Sequence, residues 1–201
     1  GGCRKMPFLC SIYMTEDRII AKCIKGDRRS QNELYKRYFP LMSSIALRYV
    51  HNESDVLPAI NSAFLKVLQN IEKYDKSYAF ATWIRNIMVN DIIDEFRKQK
   101  KHIANIYIND YKDVKEMVDV NLAESNLGEN ELRKMMSELP EVSQKVFNMY
   151  AIDGFKHREI GDKLGISEGT SKWHVSNARR KLKTMLEDQK TQEENALNAR
   201  R

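Results

Sequence analysis

The chain has 201 residues, 42% apolar and 31% charged, with a formal net charge of +6. Its eight glycines and four prolines are about 4% and 2% of the chain, against usual levels near 7% and 5%, which argues against barrels, sandwiches and Gly-rich phosphate-binding folds. One ordinary domain or two small ones, mostly helical, fit this composition, and the basic balance favours a polyanionic partner.

Residues 1–13 read as a disordered leader. The stretch Arg4 to Tyr13 mimics a short signal peptide, but it contains Pro7 and runs into Thr15-Glu16-Asp17-Arg18 without a small-residue cleavage site. Met14 is the expected native start. Cys3, Cys10 and Cys23 are three in number and show no C-x-x-C spacing, so no internal disulfide framework or zinc site is expected, and a reducing cytosol is the natural compartment. No apolar run approaches the ~18 residues that mark a membrane span, so no direct membrane insertion is expected.

Thr15 is placed to cap a helix carrying Ile19, Ile20, Cys23 and Ile24, which Gly26 ends. Ser30 or Asp27 starts the next helix, with Leu34, Tyr35 and Tyr38, and the stripe resumes after Pro40 at Met42, Ile45, Ala46, Tyr49 and Val50. Asp55 is placed to cap a third helix with Pro58 in its first turn. Ile60, Ala63, Phe64, Val67, Leu68 and Ile71 give that helix a stripe. A short loop, Tyr74 to Tyr78, leads to a long pattern through Phe80, Trp83, Ile84, Ile87, Met88, Ile92, Ile93 and Phe96. The pattern closes on the basic run Arg97-Lys98-Gln99-Lys100-Lys101.

Residues 102–128 are irregular and acidic, which marks a linker. A helix from Glu129 to Leu139 follows, then another opened by Pro140 with Val142, Val146, Phe147 and Tyr150, and then an Asp153-Gly154 turn. Lys156 to Leu164 forms a short helix capped by Gly165, and Ser167 caps a helix running from Glu168 past Lys183. The polar tail 188–201 reads as a fraying helix end. Charge supports the division: about +5 over Met14 to Lys101, about −5 over His102 to Glu131 and about +4 over Leu132 to Glu187.

Chemistry narrows the function. The sequence has no H-E-x-x-H and no G-x-x-x-x-G-K-[ST]. His51, His102, His157 and His174 are isolated and read as surface or packing residues. No catalytic residues, metal ligands or cofactor are therefore expected. Lys156 to Lys183, two helices joined at Gly165, has the pattern of a helix-turn-helix. The second helix opens with slim, hydrogen-bonding residues suited to base edges in a major groove: Glu168, Gly169, Thr170, Ser171 and Lys172. It turns basic at Arg179, Arg180, Lys181 and Lys183, as phosphate contacts require. An amphipathic hairpin with a solvated basic face is the alternative reading. In the first block, Tyr74, Tyr78, Phe80 and Trp83 before a basic run suit melted DNA, which needs ring faces for unstacked bases and cations for phosphates. The same residues also suit a helix core with a solvated end.

These residues together resemble the sigma-70 family of transcription initiation factors, in its small, two-domain extracytoplasmic-function (ECF) subfamily. Leu139-Pro140, Val146-Phe147, Asp153-Gly154-Phe155, Glu159-Ile160, Leu164 to Lys172 and Ala178 to Leu182 are similar to the family's region four. Phe64 to Val67, Ala79 to Ile84, Asn90 and Phe96 to Lys98 are similar to region two, and the N-terminal motif from Thr15 to Tyr38 also matches. The resemblance spans Thr15 to about Leu186. It implies an all-α fold: a region-two bundle over 14–101, an acidic linker over 102–128 and a region-four helix-turn-helix over 129–187. It also implies a cytoplasmic factor, not itself an enzyme, that binds core RNA polymerase and promoter DNA and is held by an anti-sigma factor. The acidic linker would pass through the channel that later carries RNA.

Site residues follow from the same resemblance. Asp55, Asn61, Ser62 and Lys66 would dock on polymerase. Tyr78, Phe80, Trp83, Arg85, Asn90, Arg97 and Lys98 would take the minus-ten element. Lys156, Arg158, Ser167, Glu168, Thr170, Ser171, Lys172, Trp173, Ser176, Asn177, Arg179 and Arg180 would meet the minus-thirty-five element. Lys172 is the candidate for a base or a near phosphate, and Arg179 and Arg180 are candidates for phosphates. The sequence departs from the family at Asp55 to Ser62, where an acidic run and a Gln-Glu pair are usual. It departs again at Trp173, where Ser is common, and at Asn177, where Arg is common. Trp173 either packs on the preceding helix or touches a thymine methyl. Two other readings remain open: a stand-alone helix-turn-helix regulator, and a degenerate factor that binds polymerase without opening promoters.

Overall fold

A computed structural model describes residues 15–99 and 129–198. The leader, Cys3, Cys10, Lys100, Lys101, His102 and the linker up to residue 128 lie outside the described residues. The chain divides into two compact units, Gly1–Ile92 and Ile93–Arg201. Among the described residues there is no strand and no helix long and apolar enough to cross a membrane.

The first unit is built from α1 (Glu16–Ile24), α2 (Arg28–Tyr49), α3 (Glu53–Asn70), a 3-10 turn (Ile71–Lys73) and the start of α4 (Phe80–Gln99). Both α1 and α3 pack on α2. Ile19, Leu34, Met42, Ile45, Ile60, Val67, Ile84 and Met88 are fully buried, as their helical spacing requires. Thr15 precedes α1, but its carbonyl rather than its hydroxyl serves the helix, accepting from the N–H groups of Arg18 and Ile19 at 3.0 and 3.1 Å. Asp27 caps α2, accepting from the Ser30 N–H at 2.9 Å.

Two boundaries differ from the sequence expectation. Proline does not interrupt α2: Pro40 lies on its exposed side, and the buried row Tyr38, Met42, Ile45, Ala46 and Tyr49 holds the helix through the lost hydrogen bond. And α3 begins at Glu53 rather than after Asp55. Asn52 stands at the cap, and its amide donates to Asp55 Oδ2 at 3.1 Å.

The second unit carries α5 (Glu129–Ser137), α6 (Glu141–Phe147), a π turn (Asn148–Ile152), α7 (His157–Leu164) and α8 (Glu168–Asn198). α8 is the spine on which α6 and α7 pack. It continues as one helix into the polar tail, through Asn198. Between α7 and α8 the chain turns at Gly165, whose φ of 71° is left-handed and suits glycine. Its N–H and that of Ile166 both donate to the Gly161 carbonyl, at 2.8 and 3.1 Å.

Gly161 is small for a different reason. A Cβ there would stand 2.8 Å from the Ile166 carbonyl oxygen, a backbone atom fixed by the turn. Gly161→Ala is therefore expected to destabilise the second unit by about 1–3 kcal/mol, the usual cost of overpacking, despite alanine's better helix propensity. A urea titration of the full chain checks this. An alanine variant as stable as the parent would show that the turn yields freely.

Candidate nucleic-acid interface

The buried side of α8 is made by Thr170, Ser171, His174, Val175, Asn177, Ala178 and Leu182. At 100° per residue these share one side of the helix. The opposite arc carries Glu168, Gly169, Lys172, Trp173, Ser176, Arg179, Arg180 and Lys183, all exposed or half-buried. The expected groove-facing residues thus split. Glu168, Lys172, Trp173, Ser176, Arg179 and Arg180 come together on the open face. Thr170, Ser171 and Asn177 belong to the helix's inner side, because one position of slip turns a helical residue by 100°. Ser167 caps α8, its Oγ accepting from the Thr170 N–H at 2.9 Å. Lys156 and Arg158 lie exposed at the start of α7, where the Lys156 N–H donates to Glu159 Oε2 at 2.7 Å.

Two serine–histidine pairs hold this unit together. His157 Nδ1 lies 3.0 Å from Ser171 Oγ, joining the first residue of α7 to the inner side of α8. His174 Nδ1 lies 2.9 Å from Ser143 Oγ, joining α8 to α6. The His157 ring also stacks on Tyr150, with centroids 4.3 Å apart, and the Arg179 guanidinium stands 5.9 Å from the Tyr150 ring. Desolvation first, then the positive charges of Lys172 and Arg179, hold His157 below its ordinary pKa. Burial takes His174 down to about 4. Both rings are thus largely neutral near pH 7, and the positive potential of the open face comes from lysine and arginine. Nothing in the local sequence links residues 14 or 31 apart, which is why these pairs escaped the sequence pattern.

Lys172 is engaged by Glu168 one turn earlier, at 2.6 Å. Lys172's hydrogen bond and charge hold the Glu168 carboxyl below its usual range. Trp173 is half-buried and meets the His174 ring edge-on at 4.9 Å.

In the first unit, Phe80 is fully buried. Its ring lies 4.8 Å from Tyr74, 5.3 Å from Tyr38 and 5.4 Å from Trp83. Tyr38 in turn donates its hydroxyl to Glu16, tying α1 to this cluster. Tyr78 is 68% exposed, and its carbonyl accepts from the Tyr74 hydroxyl at 2.6 Å. Along α4, Trp83 and Asn90 lie seven residues apart and share one accessible face, and Arg97, beyond the end of this unit at Ile92, is exposed. Arg85 lies on another side, half-buried and engaged within the protein. Lys98 is exposed and pairs with Glu95 at 3.3 Å.

On α3, Asp55, Asn61 and Ser62 share an exposed face with Leu65, which is 56% exposed. Asn61 Oδ1 accepts from the Tyr35 hydroxyl at 2.9 Å, so this amide is held by α2. Lys66 sits at the edge of the face in an ion pair with the buried Asp91 of α4.

Two family models match the chain: Sigma-70 region 2 over residues 34–102 and Sigma-70, region 4 over residues 129–182. The chain belongs to the sigma-70 family. Its curated relatives place it among the ECF members. It is 22% identical to the ECF RNA polymerase sigma-E factor of Haemophilus influenzae, over 87% of this chain and 96% of that protein. It is 24% identical to the protein of the same name in Escherichia coli K12, over 84% and 93% respectively. Among solved structures it is similar to the sigma factor RpoE from Bartonella quintana in complex with the anti-sigma factor NepR. The TM-score is 0.49 and the identity 15%, over 78% of this chain and 96% of that one. For this sigma-70 family member, α3 and α4 fall within the first matched segment, and α7 with the first part of α8, through Leu182, within the second.

Proposed function

We propose that the protein is an alternative, ECF-type sigma factor: it binds core RNA polymerase, recognises promoter DNA and promotes transcription initiation, without catalysis of its own. The observation that carries this reading is the presence of both sigma regions in one chain, in family order. We assign residues 14–101 to polymerase and minus-ten binding, 102–128 to the linker and 129–187 to minus-thirty-five binding. Work on the chromosome with polymerase puts the factor in the cytoplasm, with an anti-sigma factor as a third partner.

The geometry supports a division of roles. Asp55, Asn61 and Ser62 on the open face of α3 dock on polymerase, and Lys66, held by Asp91, sets the spacing of α3 against α4. Tyr78, Trp83 and Asn90 meet the melted strand, and Arg97 and Lys98 meet its phosphates, as aromatic and cationic groups do for unstacked bases. Phe80 acts from below, as the support of Trp83. Arg85, engaged within the protein, supports α4. In the second unit Lys156, Arg158 and Arg179 neutralise phosphates, while Lys172, Trp173 and Ser176 face the groove.

The test is reconstitution. The full chain mixed with core polymerase of its source organism is expected to form a stable complex and to transcribe from both a duplex and a pre-melted promoter. Binding to duplex DNA without binding to polymerase would make the protein a plain helix-turn-helix regulator. A polymerase complex active on pre-melted but not on duplex template would make it a factor that cannot open promoters.

A further inference from the structure

Asn177 is 7% exposed, yet its side chain is not spent inside the domain. Its Oδ1 accepts a hydrogen bond from an Nη of Arg180, at 2.9 Å, one turn further along α8. Arg180 is exposed on the open face. Long side chains on a helix lean toward its N-terminus, and this bond fixes that lean: the guanidinium is drawn back to the level of residue 177, nearer the helix start that enters a groove. Trp173 lies seven residues before Arg180 and therefore on the same side of the helix.

A phosphate contact does not need such an arrangement. Phosphates line both sides of a groove, and a flexible cation reaches one from many rotamers. A guanidinium held by a buried amide has lost that freedom, and its remaining N–H donors still form a planar fork. A fixed fork facing a major groove matches the N7 and O6 acceptors of guanine. Lys172, about two turns earlier on the open face, is paired with Glu168 instead, so two cations on one face are held in two different ways.

We infer that Arg180 is a base-reading residue, specific for a guanine in the upstream promoter element, and that Asn177 is the positioning residue that aims it. This replaces the sequence-based expectation of a phosphate contact at Arg180 and of direct DNA contact at Asn177. It rests on the reading of the protein as a promoter-recognising factor.

The experiment uses the full chain with core polymerase and a promoter duplex library randomised across one helical turn of the upstream element. The parent is expected to select a guanine at one position. Arg180→Ala is expected to lose that preference, by about 5- to 150-fold, the range of one good bidentate base contact. Arg180→Lys keeps the charge and is expected not to restore it. Asn177→Ala is expected to weaken the preference at the same position with the salt dependence unchanged. A loss from Arg180→Ala that is uniform over all sequences, lowers the salt slope by about one and is rescued by Arg180→Lys would make Arg180 a phosphate contact, overturning the inference alone. An Asn177→Ala loss that is uniform would overturn its positioning role. A parent that selects no sequence overturns the inference and the proposed function together.

Discussion

Phe80→Ala is expected to destabilise the first unit by about 3–5 kcal/mol, the usual cost of emptying a buried aromatic site. Phe80 is 1% exposed, and it touches rings from three segments: Tyr38 of α2, Tyr74 before α4 and Trp83 one turn into α4. Its removal opens a hole where the loop from Tyr74 to Tyr78 joins the helix. The Tyr38–Glu16 hydrogen bond that ties α1 down loses its packing as well. Against a typical domain stability of about 5–15 kcal/mol, such a loss leaves the unit marginal. Urea denaturation followed by hydrogen exchange at α1 to α4 reads the change directly. Phe80→Leu, which keeps most of the volume, is expected to recover most of the stability. If Phe80→Ala leaves stability intact and removes only binding to melted DNA, the ring is a base contact and not a support.

Acid is expected to loosen the second unit before it affects the first. His174 is 1% exposed and carries a pKa of about 4, against an ordinary value of 6.5, because burial disfavours its charged form. The unfolded chain therefore takes up the proton first. The unit keeps its full stability above about pH 6.5, loses it progressively as pH falls toward 4, and levels off below. The total loss from this ring is about 3 kcal/mol. His157, whose pKa is also lowered, adds to the loss in the same direction. Titration of the His174 ring by NMR checks the pKa, and urea midpoints between pH 7 and 4 check the stability. His174→Gln retains a polar partner for Ser143 and is expected to flatten the slope. An unchanged slope in that variant would assign the acid sensitivity to other groups.

Much of this architecture is visible in the order of residue types alone. The stripes at Ile19 to Ile24, Leu34 to Tyr49, Ile60 to Ile71 and Phe80 to Ile93 specify helices because a 3.6-residue period leaves one apolar face to bury. Ser167 and Gly165 marked the start of α8 and the end of α7, since capping and left-handed turns depend on chemistry within a few residues. The family resemblance rests on the same local signals. Periodicity was weaker at Pro40 and Asp55, where a local breaker or cap was outweighed by packing along the rest of the helix.

What the sequence by itself determined was therefore the helices, their apolar faces and the division into two basic blocks, all properties of near neighbours along the chain. What only the tertiary structure decided was which side of each helix remains open. Thr170, Ser171 and Asn177 look as suited to DNA as Lys172 and Ser176, but the packing of α7 and α6 on α8 turns them inward. Phe80 and Tyr78 look alike two residues apart, and one is core while the other is exposed. The Ser143–His174, Ser171–His157 and Lys66–Asp91 pairs join residues distant in the chain. No local pattern encodes them, because each exists only once two helices have met.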